Sequence, residues 1–431
     1  MLPRSARGLF TGSSILVLVT LLSQSFGGLA VFLMGQKMPL RDFAAYAVFV
    51  SMTAMVTFLS DMGLNDAFIS IAAKKDADKL AGKLIAVFIA FRLLLAILAV
   101  SFVMVATMLI GRYELYLVLL MGLTVFFVAL ESIPLSISRQ QGDISVLAVG
   151  YILPGSLVLV GVILSLSLWE ELRIFLLLAL LVSMHGIFLL VLCYLSFSRA
   201  TIASSIGDIR QDTQRLMALF SWMAIGYALH PIIFLADVII AGIFEPSEKF
   251  ASAFGLVFLI TAMTSAVTIV PVVHIVFPKF QKARKNSAFH EYARIMQGLT
   301  IIIFLCLIPL SFLLQLGLFI LFPRIEATEN LFLVYFFSHV FASVESALAG
   351  TYLISRRRIK VQAGIYILAT IVYTLLLLGV VLGSANVQFW IWLLSGFRLI
   401  LALGFITAVI FDASQLPSSV PTAAKSIRNS S

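Results

Sequence analysis

Long apolar runs alternate with short polar breaks along the whole chain, and the breaks carry most of its charge. Runs bounded by charged or turn-forming residues predict twelve helices. Six are expected at about 10–35, 43–72, 84–110, 114–138, 145–168 and 172–197. Six more are expected at about 216–242, 250–277, 295–321, 329–355, 361–383 and 387–412. Each is long enough to cross a hydrocarbon core of ~30 Å, which takes ~20 residues. No water is present in that core to satisfy an open strand edge, so the spans must be helical. The expected fold class is therefore an all-α polytopic membrane protein. Its expected divisions are an N-terminal set of six helices (1–197), a polar linker (198–215), a second set of six (216–412) and a polar tail (413–431).

Charge gives the chain a direction. The stretch Met38 to Lys83 opens on a short polar turn and crosses an apolar segment. It closes on Lys74, Lys75, Asp76, Asp78, Lys79 and Lys83. Cationic loops stay in the cytoplasm, so this span should run from outside to inside. With the other spans alternating from it, loops assigned to the cytoplasm carry 21 Lys and Arg, and loops assigned outside carry six. Both termini are expected in the cytoplasm. Arg4 and Arg7 precede an apolar run from about Phe10 to Gly35 that has no small-residue cleavage site and is too long for a signal peptide. That run is expected to be an uncleaved first span.

Composition agrees. Hydrophobic residues make up 61% and charged residues 11% of 431 residues, and the mean hydropathy is +1.11. Soluble domains carry ~25% charged residues. A net charge of +9 would suggest nucleic acid in a soluble protein. Here the charge sits in loops between spans and sets topology, so no nucleic-acid partner is expected. Cys193 and Cys306 both lie within spans, where they make no external disulfide. No external loop exceeds about ten residues. An enzyme that works on lipid-linked sugar outside the membrane needs a longer loop or a folded domain there, so an enzyme is not expected. No glycine-rich phosphate loop is present, and no cofactor is expected. His185, His230, His274 and His339 lack metal-ligand spacing, so no metal site is expected and packed polar roles suit them better.

A faint internal repeat supports two halves. Pro39 with Phe43-Ala44 recurs as Pro246 with Phe250-Ala251, each opening the second helix of its half. Parallel repeats of this kind are a transporter feature. The segment QKMPLRDFAAYAVFVSMTAMVTFLSDMGL, Gln36 to Leu64, resembles the turn and second helix of the oligosaccharide-lipid flippases. These form the polysaccharide-export branch of the superfamily that includes multidrug-and-toxin extrusion transporters. Phe43, Tyr46, Asp61, Gly63 and Leu64 match the pattern, and Ala44 replaces its usual glycine. Pro134 ahead of Arg139-Gln140-Gln141-Gly142, and Asp237 ahead of Ala241-Gly242-Ile243-Phe244, are further likenesses. The peptidoglycan-precursor branch typically has first-helix arginines and fourteen spans. This chain has no charge between Gly8 and Gln36 and only twelve spans. The resemblance implies a V-shaped pair of six-helix bundles related by a pseudo-two-fold axis, with a central cavity opening alternately to each side. It also implies a polyprenyl-diphosphate-linked oligosaccharide repeat unit as cargo.

Moving such a headgroup through the membrane calls for intramembrane cations, and arginine binds phosphate oxygens bidentately without deprotonating. Arg398, about midway along helix twelve, and Arg92, eight residues into helix three, are the candidates. For Arg92 the competing reading is snorkelling to the interface. For Arg398 it is a structural ion pair with Glu345 or Glu131. Glu345, Asp237 and Glu131 are the candidate ion-coupling acids, with solvation near the outer end of helix seven as the plainer reading of Asp237. Asp61 reads as a hydrogen-bond anchor. His230, beside Pro231, is a candidate cavity residue near Asp237. Pro134, Pro154, Pro231, Pro271 and Pro309 should bend their helices. Tyr113, Tyr116, Trp169 and Trp390 read as interfacial anchors.

The expected function is a flippase for lipid-linked repeat units in a bacterial inner membrane, serving synthesis of O-antigen, capsule or exopolysaccharide. Its partners would be the lipid-linked oligosaccharide, membrane lipids, and polysaccharide polymerase and chain-length machinery. The alternatives are a cation-coupled multidrug exporter, which would favour an anionic cavity, and a membrane-embedded polymerase or ligase. The sequence leaves the glycan, the coupling ion and the oligomeric state open.

Overall fold

A computed structural model describes residues 4–65, 67–68, 80–110, 114–141, 143–168, 172–199, 202–203, 209–244, 247–271, 288–322, 330–355, 358–382 and 387–414. Among them are twelve long α-helices. The first six are α1 (Arg4–Lys37), α2 (Leu40–Asp61), α3 (Gly82–Ile110), α4 (Leu115–Gln141), α5 (Ile144–Leu168) and α6 (Ile174–Arg199). The second six are α7 (Ile209–Phe244), α8 (Glu248–Pro271), α9 (Ala288–Leu321), α10 (Asn330–Ser355), α11 (Ile359–Leu382) and α12 (Val387–Ser414). Eleven are long and apolar enough to cross a membrane, and α7 carries a shorter apolar stretch, Met223–Ile239. The chain is a multi-pass membrane protein.

The helices form two six-helix bundles with one pairing scheme repeated. In the first bundle α1 packs on α5, α4 on α6, α3 on α4, α2 on α4, and α5 on α6. Each pairing recurs six helices later: α7 on α11, α10 on α12, α9 on α10, α8 on α10, and α11 on α12. The seam between bundles obeys the same symmetry, because α2 meets α7, α1 meets α8, and α2 meets α8. Lipid cannot drive helices together by hydrophobicity, so close backbone approach matters at such a seam. Gly255 of α8 provides it, since a Cβ there would sit 2.7 Å from the Cβ of Ala47 on α2.

Burial divides the helices by role. α10 is the most enclosed, with 78% of its apolar window buried, whereas the α9 window is 17% buried and presents Ile301, Leu305, Phe312 and Leu313 outward. Many hydroxyls inside the spans are satisfied locally, as where Thr20, Thr53, Thr124, Thr261 and Ser311 donate to the carbonyl four residues back.

Several boundaries differ from the sequence expectation. Helix two stops at Asp61 instead of continuing to 72. Met62 adopts a left-handed conformation (φ 43°) while its N–H still bonds the Phe58 carbonyl at 2.8 Å, and Gly63 follows at φ 76°. Residues 69–72 of that expected span and 272–277 of helix eight lie outside the described residues, as does His274. α7 and α9 begin a turn or more ahead of their apolar runs, at Ile209 and Ala288, because polar residues can continue a helix beyond the hydrocarbon. Leu80–Ala81 (β1) pairs in parallel with Ile202–Ala203 (β2), joining the α2–α3 and α6–α7 connections. Trp390 is 1% exposed inside the second bundle, so it is a core residue and not an interfacial anchor. Tyr116 is exposed at its span end. Tyr113 and Trp169 lie outside the described residues.

Candidate functional site

Among the described residues the charged chemistry of the spans is gathered in a few clusters. One of them is a closed pair at the end of α12, where Asp412 meets Arg358 at 2.9 Å and accepts the Tyr352 hydroxyl at 3.1 Å. The central one belongs to the second bundle. Ile233 and Asp237 are four residues apart on α7, hence on one face, and that face meets α10, α11 and α12. Arg398 of α12 is fully buried there. Its Nη2 donates to the Ile233 carbonyl at 2.9 Å and forms an ion pair with Oδ2 of Asp237. The Tyr373 hydroxyl of α11 donates to the other carboxylate oxygen at 2.9 Å. Asp237 is 0% exposed and is not solvated.

The rest of the Arg398 guanidinium is treated differently. Nε and Nη1 make no hydrogen bond. They lie in an aromatic setting, with the guanidinium carbon 5.1 Å from the Tyr335 ring centre and 5.8 Å from that of Phe234. Cation–π attraction offsets part of the missing hydrogen bonding, by about 2 kcal/mol when desolvated. His339 of α10 stands against Tyr335 and Phe234, each 5.5 Å away between ring centres. One buried cation therefore has a single acidic partner and two unspent donor positions.

One aromatic step links this cluster to the seam. His230, about two turns before Asp237 on α7, packs against Phe234 at 4.5 Å and against Phe58 of α2, in the other bundle, at 4.9 Å. Its Nδ1 lies 3.2 Å from the Tyr366 hydroxyl of α11. The Ser51 hydroxyl of α2 donates to the Leu235 carbonyl of α7 at 2.5 Å, which ties the same two helices together.

The first bundle holds its charges more completely. Arg92 of α3 is fully buried and turned into the bundle instead of towards an interface. Its Nε and Nη2 donate to the Ser132 hydroxyl of α4 at 3.0 and 2.6 Å. Its Nη1 reaches Asp61 at 3.2 Å, and Nη2 also reaches the Ala129 carbonyl at 3.4 Å. The same Asp61 oxygen accepts the Asn65 N–H at 3.1 Å, so Asp61 anchors the end of α2 to α3 and α4. Glu131 of α4 pairs with Nδ1 of His185 on α6 at 2.7 Å, both nearly buried.

Glu345 is the counterpart that stays open. It lies on α10, 3% exposed, and its Oε1 makes no hydrogen bond. Thr300 of α9 is its polar neighbour. Neither Glu345 nor Glu131 pairs with Arg398, whose partner is Asp237. Among the described residues no group of His, Cys, Asp and Glu has the geometry to hold a metal ion.

Sequence reasoning missed Tyr335 and Tyr373, and gave His339 no site role. It also passed over a signal that would have helped. Glu131-Ser132 in α4 and Glu345-Ser346 in α10 are the same pair in equivalent helices, and His185 and Arg398 are each the twelfth residue of α6 and α12. The two bundles thus place an acid and a nitrogen-bearing side chain at matching positions, yet only the first joins them.

Comparison with known proteins adds the following. The family model described as "Polysaccharide biosynthesis protein" matches residues 9–284. No curated protein matches. Among solved structures, the fold is similar to an inward-facing multidrug resistance MATE family transporter of the MOP superfamily. Its TM-score is 0.65 at 12% identity, over 93% of this chain and 98% of that one. A MOP superfamily transporter from Pyrococcus furiosus, described as having a binding pocket of reverse polarity, aligns with TM-score 0.56 at 11% identity, over 95% and 96% of the two chains. A mutant Vibrio cholerae MATE transporter aligns with TM-score 0.52 at 15% identity, over 98% and 97%. The twelve helices in two bundles are the arrangement these relatives share.

Proposed function

The chain belongs to the polysaccharide biosynthesis protein family, and from that premise we propose that it is a flippase. In this reading it carries a polyprenyl-diphosphate-linked oligosaccharide repeat unit across the bacterial inner membrane. The bundles 1–197 and 216–412 are its moving halves, 198–215 joins them with α6 running to Arg199 and α7 starting at Ile209, and both termini are cytoplasmic.

The observation that carries the reading is Arg398. Buried donors without partners cost ~1–3 kcal/mol each, so a fold that retains two of them on one arginine needs a compensating use. A diphosphate supplies the acceptors that Arg398 lacks, and its charge competes with Asp237 for the guanidinium. Tyr335, Phe234 and His339 keep water from that exchange, and His230 with Phe58 connects it to the seam. Asp237 then restrains Arg398 when no cargo is bound and serves as one coupling acid. Glu345, with an unpartnered oxygen, is a second. Arg92 and Glu131 are also intramembrane charges, but their partners are already in place, so they act as clamps.

The sidedness of lipid-linked oligosaccharide in a strain lacking the protein tests this reading, scored with a membrane-impermeant probe. Complete repeat units trapped on the cytoplasmic face are expected. Repeat units that reach the outer face and stay unpolymerised would overturn the flippase in favour of a polymerase. The similarity to multidrug transporters supports a second reading, drug export. Under the flippase reading, deletion leaves susceptibility to cationic drugs unchanged. Replacing Glu345 with Gln is expected to remove the dependence of translocation on the proton gradient, and an unchanged dependence removes Glu345 from coupling.

A further inference from the structure

The transport reading leaves one polar feature of the first bundle unused. The opening turns of α2, α4 and α6 meet around a cleft of about 210 Å³. Its walls include Arg41, Asp42, Glu114, Tyr116, Arg173 and Phe175. The loop charges put this end of the bundle on the outer side of the membrane.

The lining is partly fixed in place. Oδ2 of Asp42 accepts the Ile174 N–H at 3.2 Å, which holds that carboxylate between α2 and α6. Tyr116 and Phe175 meet edge to face, 6.0 Å between ring centres at 88°. Tyr116 also lies beside the Glu114 carboxylate.

The chemistry of the cleft selects its ligand. Two arginines and two carboxylates give the lining no net charge. An anion would meet Asp42 and Glu114, and a cation would meet Arg41 and Arg173, so neither is favoured. Guanidinium and carboxylate groups together offer paired donors and paired acceptors on flat frames. That combination suits neighbouring hydroxyls on a neutral ring, with the aromatic pair covering the ring's apolar C–H side. The cleft is smaller than the ~300–1,000 Å³ of pockets that take drug-sized ligands. It fits one sugar residue and not a chain.

Its position bears on transport. On the first turns of α2, the Leu40 carbonyl accepts the Ser252 hydroxyl of α8 at 2.8 Å, and Ala47 packs on Gly255. Arg41, Asp42 and Ala45 of the same turns line the cleft. The cleft therefore adjoins the outer closure between the two bundles.

Resting on the flippase reading above, we propose that this cleft is an outer subsite for a single neutral sugar residue of the translocated glycan, engaged as the seam opens on that side. Its test is saturation-transfer NMR on the purified full-length protein in detergent, with methyl glycosides of glucose, galactose and mannose as probes. Transfer to the ring protons of at least one probe is expected, undiminished by excess inorganic phosphate. It should fall about ten-fold in the double variant Glu114→Gln/Phe175→Leu, the scale of one lost charge-assisted hydrogen bond. Both side chains are exposed, so the variant should fold; Arg41→Gln provides an independent second variant, with melting temperatures recorded for each. Absence of transfer from every probe, transfer in both variants equal to that of the wild type, or displacement by phosphate overturns the proposal. Binding does not require transport. A protein that translocates lipid-linked glycan but binds no glycoside loses the subsite alone, whereas one that binds but never translocates loses the flippase reading alone.

Discussion

Among the described residues each bundle buries one arginine completely, and the two are used in opposite ways. Arg92 spends Nε, Nη1 and Nη2 on Ser132, Asp61 and the Ala129 carbonyl, so every guanidinium nitrogen has a partner. Arg398 spends only Nη2, and its other nitrogens rest over aromatic rings. The acids follow suit: Glu131 is closed by His185, while Glu345 keeps an open oxygen. At these two arginines and two glutamates, bundles with one pairing scheme therefore differ in how completely charge is neutralised, although Asp412 of the second bundle is closed by Arg358 and Tyr352. The first is built to hold its shape, and the second keeps polar capacity in reserve.

The sharpest way to break this contrast is to strand Arg398. Removing one partner of a buried ion pair costs ~3–5 kcal/mol. Asp237→Asn is expected to approach that loss, because an arginine cannot shed its proton. Arg398→Gln should cost less, since the stranded acid keeps its hydrogen bond from Tyr373. Melting curves in detergent check the order, and the double variant should recover stability without recovering translocation. Equal melting of both single variants would remove the asymmetry.

A second pair of variants sharpens the contrast between bundles. Arg92→Gln leaves Asp61 and Ser132 underbonded, at a cost of ~1–3 kcal/mol, yet translocation per folded molecule should persist. Arg398→Gln should abolish translocation per folded molecule, and Arg398→Lys should retain part of it. If both arginines affect stability and translocation in proportion, the division of labour is wrong.

Smaller effects are expected at the seam and in the cluster. Gly63→Ala places a Cβ at φ 76° and 2.8 Å from the Met223 Cβ of α7. The backbone conformation alone costs ~1–2 kcal/mol, visible as a lower melting temperature. Tyr373→Phe removes one hydrogen bond to Asp237 and should cost ~0.5–1.5 kcal/mol. A larger loss would mean that Tyr373 does more than orient the acid.

The helices were legible because each apolar run must satisfy its backbone internally, which leaves little freedom. The ends were less so. Nothing in the apolar pattern marks Asp61 as the last residue of α2, since the break is made by backbone conformation at Met62 and Gly63. The site was half legible. Isolated charges in apolar runs identified Arg398, Asp237, Arg92, Glu131 and Glu345 as costly and therefore purposeful. Their partners were not legible, because Asp237 and Arg398 are 161 residues apart and meet only because α11 packs on both α7 and α12. Position along a helix suggested Glu345 or Glu131 for Arg398, but pairing depends on helix rotation, which apolar runs facing lipid and protein alike do not encode. Tyr335 and Tyr373 were hidden for a related reason, since an aromatic residue in a span looks the same whether it faces lipid, core or a cation.

The most direct measurement is translocation of a polyprenyl-diphosphate oligosaccharide by the purified protein in sealed proteoliposomes, scored by an impermeant sugar-modifying enzyme. The account predicts that, per folded molecule reconstituted, the wild type and Arg92→Gln move the lipid and Arg398→Gln does not. Full translocation by Arg398→Gln would contradict it.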